Sequence, residues 1–510
     1  RTIPGDSRTS SGTVRGIESR ISMKKAMWWA CAAGALLGGA TAEEFEIDYS
    51  NLKSGTPPEN KAEGPSKKDY EEALKKLDIE AVTKDMKVLL TDSKDFWPAD
   101  FGNYGPFMVR LAWHCSGTYR ASDGVGGCGG GRQRFDPEAN WPDNTNLDKA
   151  RALVAPLKKK YGDALSWGDL FILAGTTALR ESGAPLKKMC FGRVDDNDGK
   201  KSEKLGPTAL QVDQLPCKVN GDCKYPFGAT TVGLVYVNPE GPMGKPDPKG
   251  SVNNVRQTFG IMGHSDRNTV ALIGGGHAVG KGHGACTKSP GLLPKDAWKK
   301  GVCPWEGECG SGKEKGKGNN TVTAGFEGAW TTDPLKWDNE YFKDLLDKEW
   351  EKHKGPGGHW QWRIKDSDSK LMRLTSDISL LHDEEYKKYV ELFADDMDAF
   401  NTAFDEAWFD LTTRYGSGTW ADNAKCDDGE FPEELRHVKN PDVSKYVELY
   451  MRGDDLIPSK LTTSRSWLAA TTACGVLVSV VIGFAIKRRR QQQTPVEEKD
   501  MERLIENGEE

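Results

Sequence analysis

The stretch LIGGGHAVGKGHG, residues 272–284, supports two readings. By spacing, Gly275 to Lys281 gives G-x-x-x-x-G-K, close to a loop that cradles phosphate. By chemistry, it sets His277 and His283 in a glycine-rich turn after an apolar run, where an imidazole can reach a metal. A phosphate loop needs Ser or Thr at position 282 to hold magnesium, and Gly282 stands there. It should also follow a strand and open a helix. Here Ser265 caps an apolar run through Ile273 that reads as a helix ahead of the glycines. Gly274-Gly275-Gly276 instead lets another flat group approach the backbone before His277. A zinc pair of His277 and His283 lacks a third ligand nearby.

A second stretch, PFMVRLAWHCSGTYR (106–120), is apolar except at i, i+3 and i+4, where Arg110, Trp113 and His114 stand. Those offsets put a guanidinium, an indole and an imidazole on one helix face. A fixed charge beside a titratable base in a buried helix is costly unless chemistry there needs it. The plainer alternative is a satisfied core histidine, with Arg110 paired to a carboxylate.

The rest of the chain is a scaffold of helical patterns. Its 510 residues are 37% hydrophobic and 29% charged, enough for a sizeable core in two lobes or domains. A net charge of -6 gives no support to nucleic-acid binding. Residues 70–90 and 146–162 have apolar positions at helical spacing, with Pro156 expected to kink or break the second. SWGDLFILAGTTALRESG opens with Ser166 and Asp169 as a capping pair and runs apolar enough to be a central buried helix. Further amphipathic helices are expected at 340–352 and 384–413, and a strand at 230–238. The loop-rich stretches 191–250 and 285–325 are long enough to be functional. The fold class is mainly α.

The two ends suggest a compartment. Residues 1–22 read as an upstream segment. Met23-Lys24-Lys25, a short apolar run and Ala40-Thr41-Ala42 then describe a signal peptide over 23–42, ahead of a polar linker at 43–67. After a body at 68–455, WLAATTACGVLVSVVIGFAI (467–486) carries no charge and is long enough to span a bilayer. Lys487-Arg488-Arg489-Arg490 opens a basic tail, 487–510, expected to stay cytosolic. The expectation is a single-pass membrane protein of the secretory pathway with a lumenal or extracellular body, or alternatively one of an organellar membrane. Nine cysteines lie outside the two apolar segments. Cys217/Cys223 and Cys303/Cys309 are candidate local bridges, while Cys115 has no evident role. Asn319-Asn320-Thr321 is a glycosylation sequon.

Taken together, MVRLAWHCSGTYR, DGVGGCGGGRQRFDPEANWPDNTNLDKA, YVNPEGP and ALIGGGHAVGKGHGA closely resemble the bacterial-type catalase-peroxidases. These belong to the superfamily that includes ascorbate and cytochrome c peroxidases. The likeness runs from about Tyr70 to about residue 420 and implies a helical fold with haem b between two lobes. By resemblance His277 is the proximal iron ligand. Asp377 in LTSDISL accepts a hydrogen bond from it, and Trp330 in GAWTTDPLKWDN joins the same network. On the other face, the resemblance makes His114 the group that takes a proton from hydrogen peroxide. Arg110 stabilises the charge as the O–O bond breaks, Asn144 orients the imidazole, and Asp143 is the acidic residue at the access channel.

The family is set apart by a covalent Met–Tyr–Trp side-chain adduct, whose parts would be Trp113, Tyr236 and Met262. Arg414 in DLTTRYG resembles the mobile arginine that serves it. The implied function is a bifunctional catalase-peroxidase acting on hydrogen peroxide and on a small donor of unknown identity, and the family commonly forms homodimers. The alternative is a membrane-anchored peroxidase of the ascorbate or cytochrome c type with little catalase activity. A haem-binding sensor or scaffold is a reading of a different class. Two features depart from the family pattern. Familiar members carry a second, degenerate peroxidase-like half, and CPWEGECGSGKEKGKGNN (303–320) is unlike their loop.

Overall fold

A computed structural model describes residue 62 and residues 64–437, apart from 94–98, 122–123, 141–143, 145–146, 206–236, 238, 283–325, 356–358 and 415–419. The architecture is mostly helical, as expected. Helix α1 (Lys67–Leu74) is capped by Ser66 and α2 (Ile79–Thr91) by Asp78, each side chain accepting from a first-turn backbone N–H. Helix α3 (Gly105–Ser116) opens with Pro106, whose missing N–H is harmless in a first turn. Helix α4 (Leu147–Tyr161) runs through Pro156 instead of ending there. Helix α5 (Trp167–Ser182) is capped by Ser166 and buried over most of its length, as its sequence predicts. Helix α1 packs on residues 420–426 and on the turn Gly162–Ala164, while α2 to α5 pack mainly on one another, with α3 against α5 the most extensive contact. Gly175 permits it. A Cβ there would lie 2.4 Å from that of Ala112.

A second group begins with α6 (Pro248–Ile261) and α7 (Asp266–Gly276), the latter capped by Ser265. Helix α8 (Glu340–Asp347) stops short of the expected 340–352, because the chain turns extended at Lys348 and enters a strand at Trp350. Helix α9 (Thr375–Ser379) is short. The expected run 384–413 divides into α10 (Glu384–Asp395) and α11 (Met397–Thr413). Asp396 adopts an extended backbone there, and its carboxylate caps the second helix. Helix α11 packs on both α7 and α3 and so joins the two groups.

Strands are few and antiparallel. β1 (Cys190–Arg193) pairs with β7 (Trp420–Cys426), and the Cys190–Cys426 disulfide crosses the pair. β2 (Lys281–Gly282) pairs with β3 (Gly328–Ala329), which draws Trp330 towards the end of α7. β4 (Trp350–Lys354), β5 (Trp360–Ile364) and β6 (Met372–Arg373) form a three-stranded sheet in that order. Asp169 and Arg193, both fully buried, bind the first helical group to β1 through an ion pair of 2.8 Å. The expected strand at 230–238 falls almost wholly outside the described residues, as do Cys217/Cys223 and Cys303/Cys309.

Placement in a membrane is corrected. Among the described residues no helix is long and apolar enough to cross one. The stretches that suggested it, 23–42 and 467–486, lie outside those residues, and the expected single-pass placement in the secretory pathway or an organellar membrane does not stand.

Candidate active site

Helix α3 delivers the distal groups. His114 is buried, and its Nδ1 lies 2.9 Å from Asn144 Oδ1. The Asn144 amide nitrogen donates to the Glu138 carbonyl at 2.7 Å, so its oxygen is the atom that faces the histidine. That assigns the imidazole proton to Nδ1 and leaves Nε2 as the basic nitrogen. Burial, and then the Arg110 guanidinium, hold the His114 pKa well below its ordinary value, against the smaller opposing pull of Asn144. The imidazole is therefore kept neutral and able to accept a proton.

The support behind this pair is itself fixed. Glu138 is buried with Arg132 3.6 Å away, and Ser202 both accepts from Arg132 Nε at 2.8 Å and donates to the Glu138 carboxylate. Cys115, next to His114, forms a disulfide with Cys128 in the glycine-rich loop that leads to Arg132. This is the role that the sequence left blank.

Trp113 stacks on Phe259 of α6 with ring centroids 5.4 Å apart. Met262 caps the end of that helix and is buried. Arg414, at the end of α11, donates to the carbonyls of Met262 (3.1 Å) and Gly263 (2.7 Å) and pairs with Asp410 at 2.7 Å. Trp113 and Met262 thus both lie at α6, with Arg414 bonded to the Met262 backbone. Tyr236, Asp143 and Asn319 lie outside the described residues. His264, which the sequence did not single out, is buried near Phe259, and among the described residues neither of its ring nitrogens has a hydrogen-bond partner.

The proximal group forms at the end of α7. His277 Nδ1 lies 2.8 Å from Asp377 Oδ1. Asp377 is fully buried, and its other oxygen accepts from the Leu374 N–H at 2.7 Å. Burial works to raise the Asp377 pKa, yet His277, Arg373 and that N–H bring it below the ordinary carboxylate value. Trp330 lies flat on the imidazole, with centroids 3.9 Å apart and planes 7° from parallel. It joins the group by stacking; among the described residues no hydrogen bond runs from its indole to Asp377. The second side-chain donor to that carboxylate is Tyr341, whose hydroxyl lies 2.7 Å from Asp377 Oδ1. Lys281 is buried in an ion pair with Glu327, a structural role.

These residues fit a haem. His277 is 25% exposed while Asp377 behind it is 0% exposed, so the ring has an open side. A Cβ on the neighbouring Gly276 would meet nothing within 4 Å. With its Nδ1 proton directed at Asp377, His277 offers one lone pair on Nε2. Among the described residues no group of three or more His, Cys, Asp or Glu could hold a bare ion. A single imidazole suits a metal that brings most of its own ligands.

The family model described as Peroxidase matches residues 87–396, a span that contains Arg110, His114, His277 and Asp377. The chain belongs to the peroxidase family. This peroxidase is 45% identical over 370 residues to a catalase-peroxidase of Halobacterium salinarum, covering 68% of the chain and 50% of that relative. It is 42% identical over 428 residues to a catalase-peroxidase of Escherichia coli, 79% and 57% respectively. A catalase-peroxidase of Yersinia pestis is 45% identical over 361 residues, 68% and 48%. The chain spans about half the length of the curated relatives it matches.

Proposed function

We propose that this peroxidase is a haem catalase-peroxidase that decomposes hydrogen peroxide to water and dioxygen and also oxidises small donors with peroxide. The observation that carries the reading is the His277–Asp377 pair, with its open imidazole side, in a chain that shares the His114–Asn144 pair and the peroxidase match. The domain is proposed to run over 68–455, and a homodimer is the proposed assembly.

His277 would hold the iron. Asp377, by accepting the hydrogen bond from Nδ1–H, makes the imidazole a stronger electron donor. When bound, the haem supplies the electrons that cleave the peroxide O–O bond. His114 Nε2 takes the proton from one peroxide oxygen and returns it to the departing oxygen as water leaves. Arg110 stabilises the negative charge that develops on that oxygen. Asn144 keeps Nε2, and not Nδ1, pointed at the substrate. Trp113, Tyr236 and Met262 are proposed to form the covalent adduct that allows oxidation of a second peroxide, with Arg414 serving it and Asp143 guiding access.

An oxygen electrode with peroxide as sole substrate tests this reading. Dioxygen release should vanish in Tyr236→Phe while oxidation of an added donor persists. Donor oxidation without dioxygen release in the unaltered protein would reduce it to an ordinary peroxidase. A tryptic mass map of the haem-loaded protein should contain one species joining the Trp113, Tyr236 and Met262 peptides.

A further inference from the structure

Asp377 Oδ1 receives two side-chain donors. His277 Nδ1 lies at 2.8 Å and the Tyr341 hydroxyl at 2.7 Å. Two donors on one carboxylate oxygen divide its charge between them, and a hydroxyl bonded to a carboxylate is a strong, charge-assisted donor. Whatever Tyr341 takes is withdrawn from the imidazole. Tyr341 is also held in place. Its ring is fully buried, meets His277 edge-on with centroids 5.9 Å apart, and packs edge-on against Phe342 at 5.2 Å. The Arg373 guanidinium sits 4.4 Å over its face. That same buried guanidinium donates to the carbonyls of Trp330 (2.7 Å) and Tyr341 (3.1 Å). One cation therefore fixes both aromatic residues that flank the histidine.

We propose that Tyr341 is a positioning residue that sets how much of the Asp377 charge reaches His277, and so limits the electron donation of that imidazole to iron. The proposal rests on His277 being the iron ligand. A purely structural hydroxyl, present only to satisfy its own burial, would leave the iron–histidine bond unchanged on removal. A hydroxyl that competes for the carboxylate would not.

The test uses the full chain loaded with haem. Resonance Raman of the ferrous form reads the iron–histidine stretching band, and spectroelectrochemistry reads the midpoint potential. Tyr341→Phe keeps the ring and removes the donor, so the band should move to higher frequency and the midpoint should fall. Asp377→Asn, which removes the carboxylate charge, should move both in the opposite sense. If Tyr341→Phe does not fold or load haem, a monofluorinated tyrosine at 341 is read instead. As a stronger donor of nearly the same shape, it should lower the band frequency and raise the midpoint. A band and midpoint left unmoved by either change overturn the role of Tyr341 alone. Absence of any iron–histidine band in the unaltered protein overturns the ligand assignment, and this proposal with it.

Discussion

At the scale of single residues, the site is arranged around two imidazoles, each with its Nδ1 held by an oxygen acceptor. His114 must be neutral to accept a proton, and burial together with Arg110 lowers its pKa. The sign of the test follows directly. A positive charge at 110 disfavours a second one at 114, so its removal lets His114 protonate at higher pH. In Arg110→Leu the acid limb of the rate of reaction with peroxide should therefore move to higher pH. The plateau above it should drop by roughly 10²–10³-fold, the usual cost of losing one charge-stabilising donor. Stopped-flow mixing across pH reads both, and an acid limb that stays in place would contradict the coupling.

The i, i+3, i+4 spacing made Arg110, Trp113 and His114 legible, and the glycines before His277 marked the other face. Glu138, Tyr341 and His264 were not legible. Tyr341 reaches Asp377 across 36 positions, and no local pattern encodes such a contact. In sequence it reads only as one apolar position of an amphipathic helix.

At the scale of elements, the distal helix is placed by close approach as much as by its own pattern. Replacing glycine by alanine inside an exposed helix ordinarily stabilises by up to about 1 kcal/mol. At Gly175 the added carbon would also lie 3.1 Å from the Met108 carbonyl oxygen and 3.3 Å from the Trp408 ring. Overpacking of this kind costs about 1–3 kcal/mol, so the sign reverses. Gly175→Ala should lower the unfolding free energy read from denaturant titration by that order, and a more stable variant would show that α3 yields freely.

Helix starts were readable where a side chain caps them, as at Ser166 and Ser265. Their ends were less so. Periodicity alone carried 340–352 through the extended residue Lys348 and missed the break at Asp396, because apolar spacing does not register a backbone turn or a cap. Apolar stretches at the two ends pointed to a membrane that no described helix is built to cross.

At the scale of the molecule, the mainly helical class was legible, because amphipathic helical patterns recur along the body of the chain. The connections were not. β1 and β7 meet across more than two hundred residues, and nothing in either strand names the other. The Cys190–Cys426 disulfide makes that meeting covalent, with a sequence separation of 236. His277, Trp330, Tyr341 and Asp377 all lie within this closed ring of chain, whereas Arg110, Trp113 and His114 lie outside it. A single protease cut between Cys190 and Cys426 therefore severs the backbone without releasing a fragment. Nicked protein should migrate as one full-mass species on a non-reducing gel and separate into two only after reduction. The stretch that carries His277 and Asp377 is bound to the stretch that carries Arg110 and His114 by sulfur as well as by peptide.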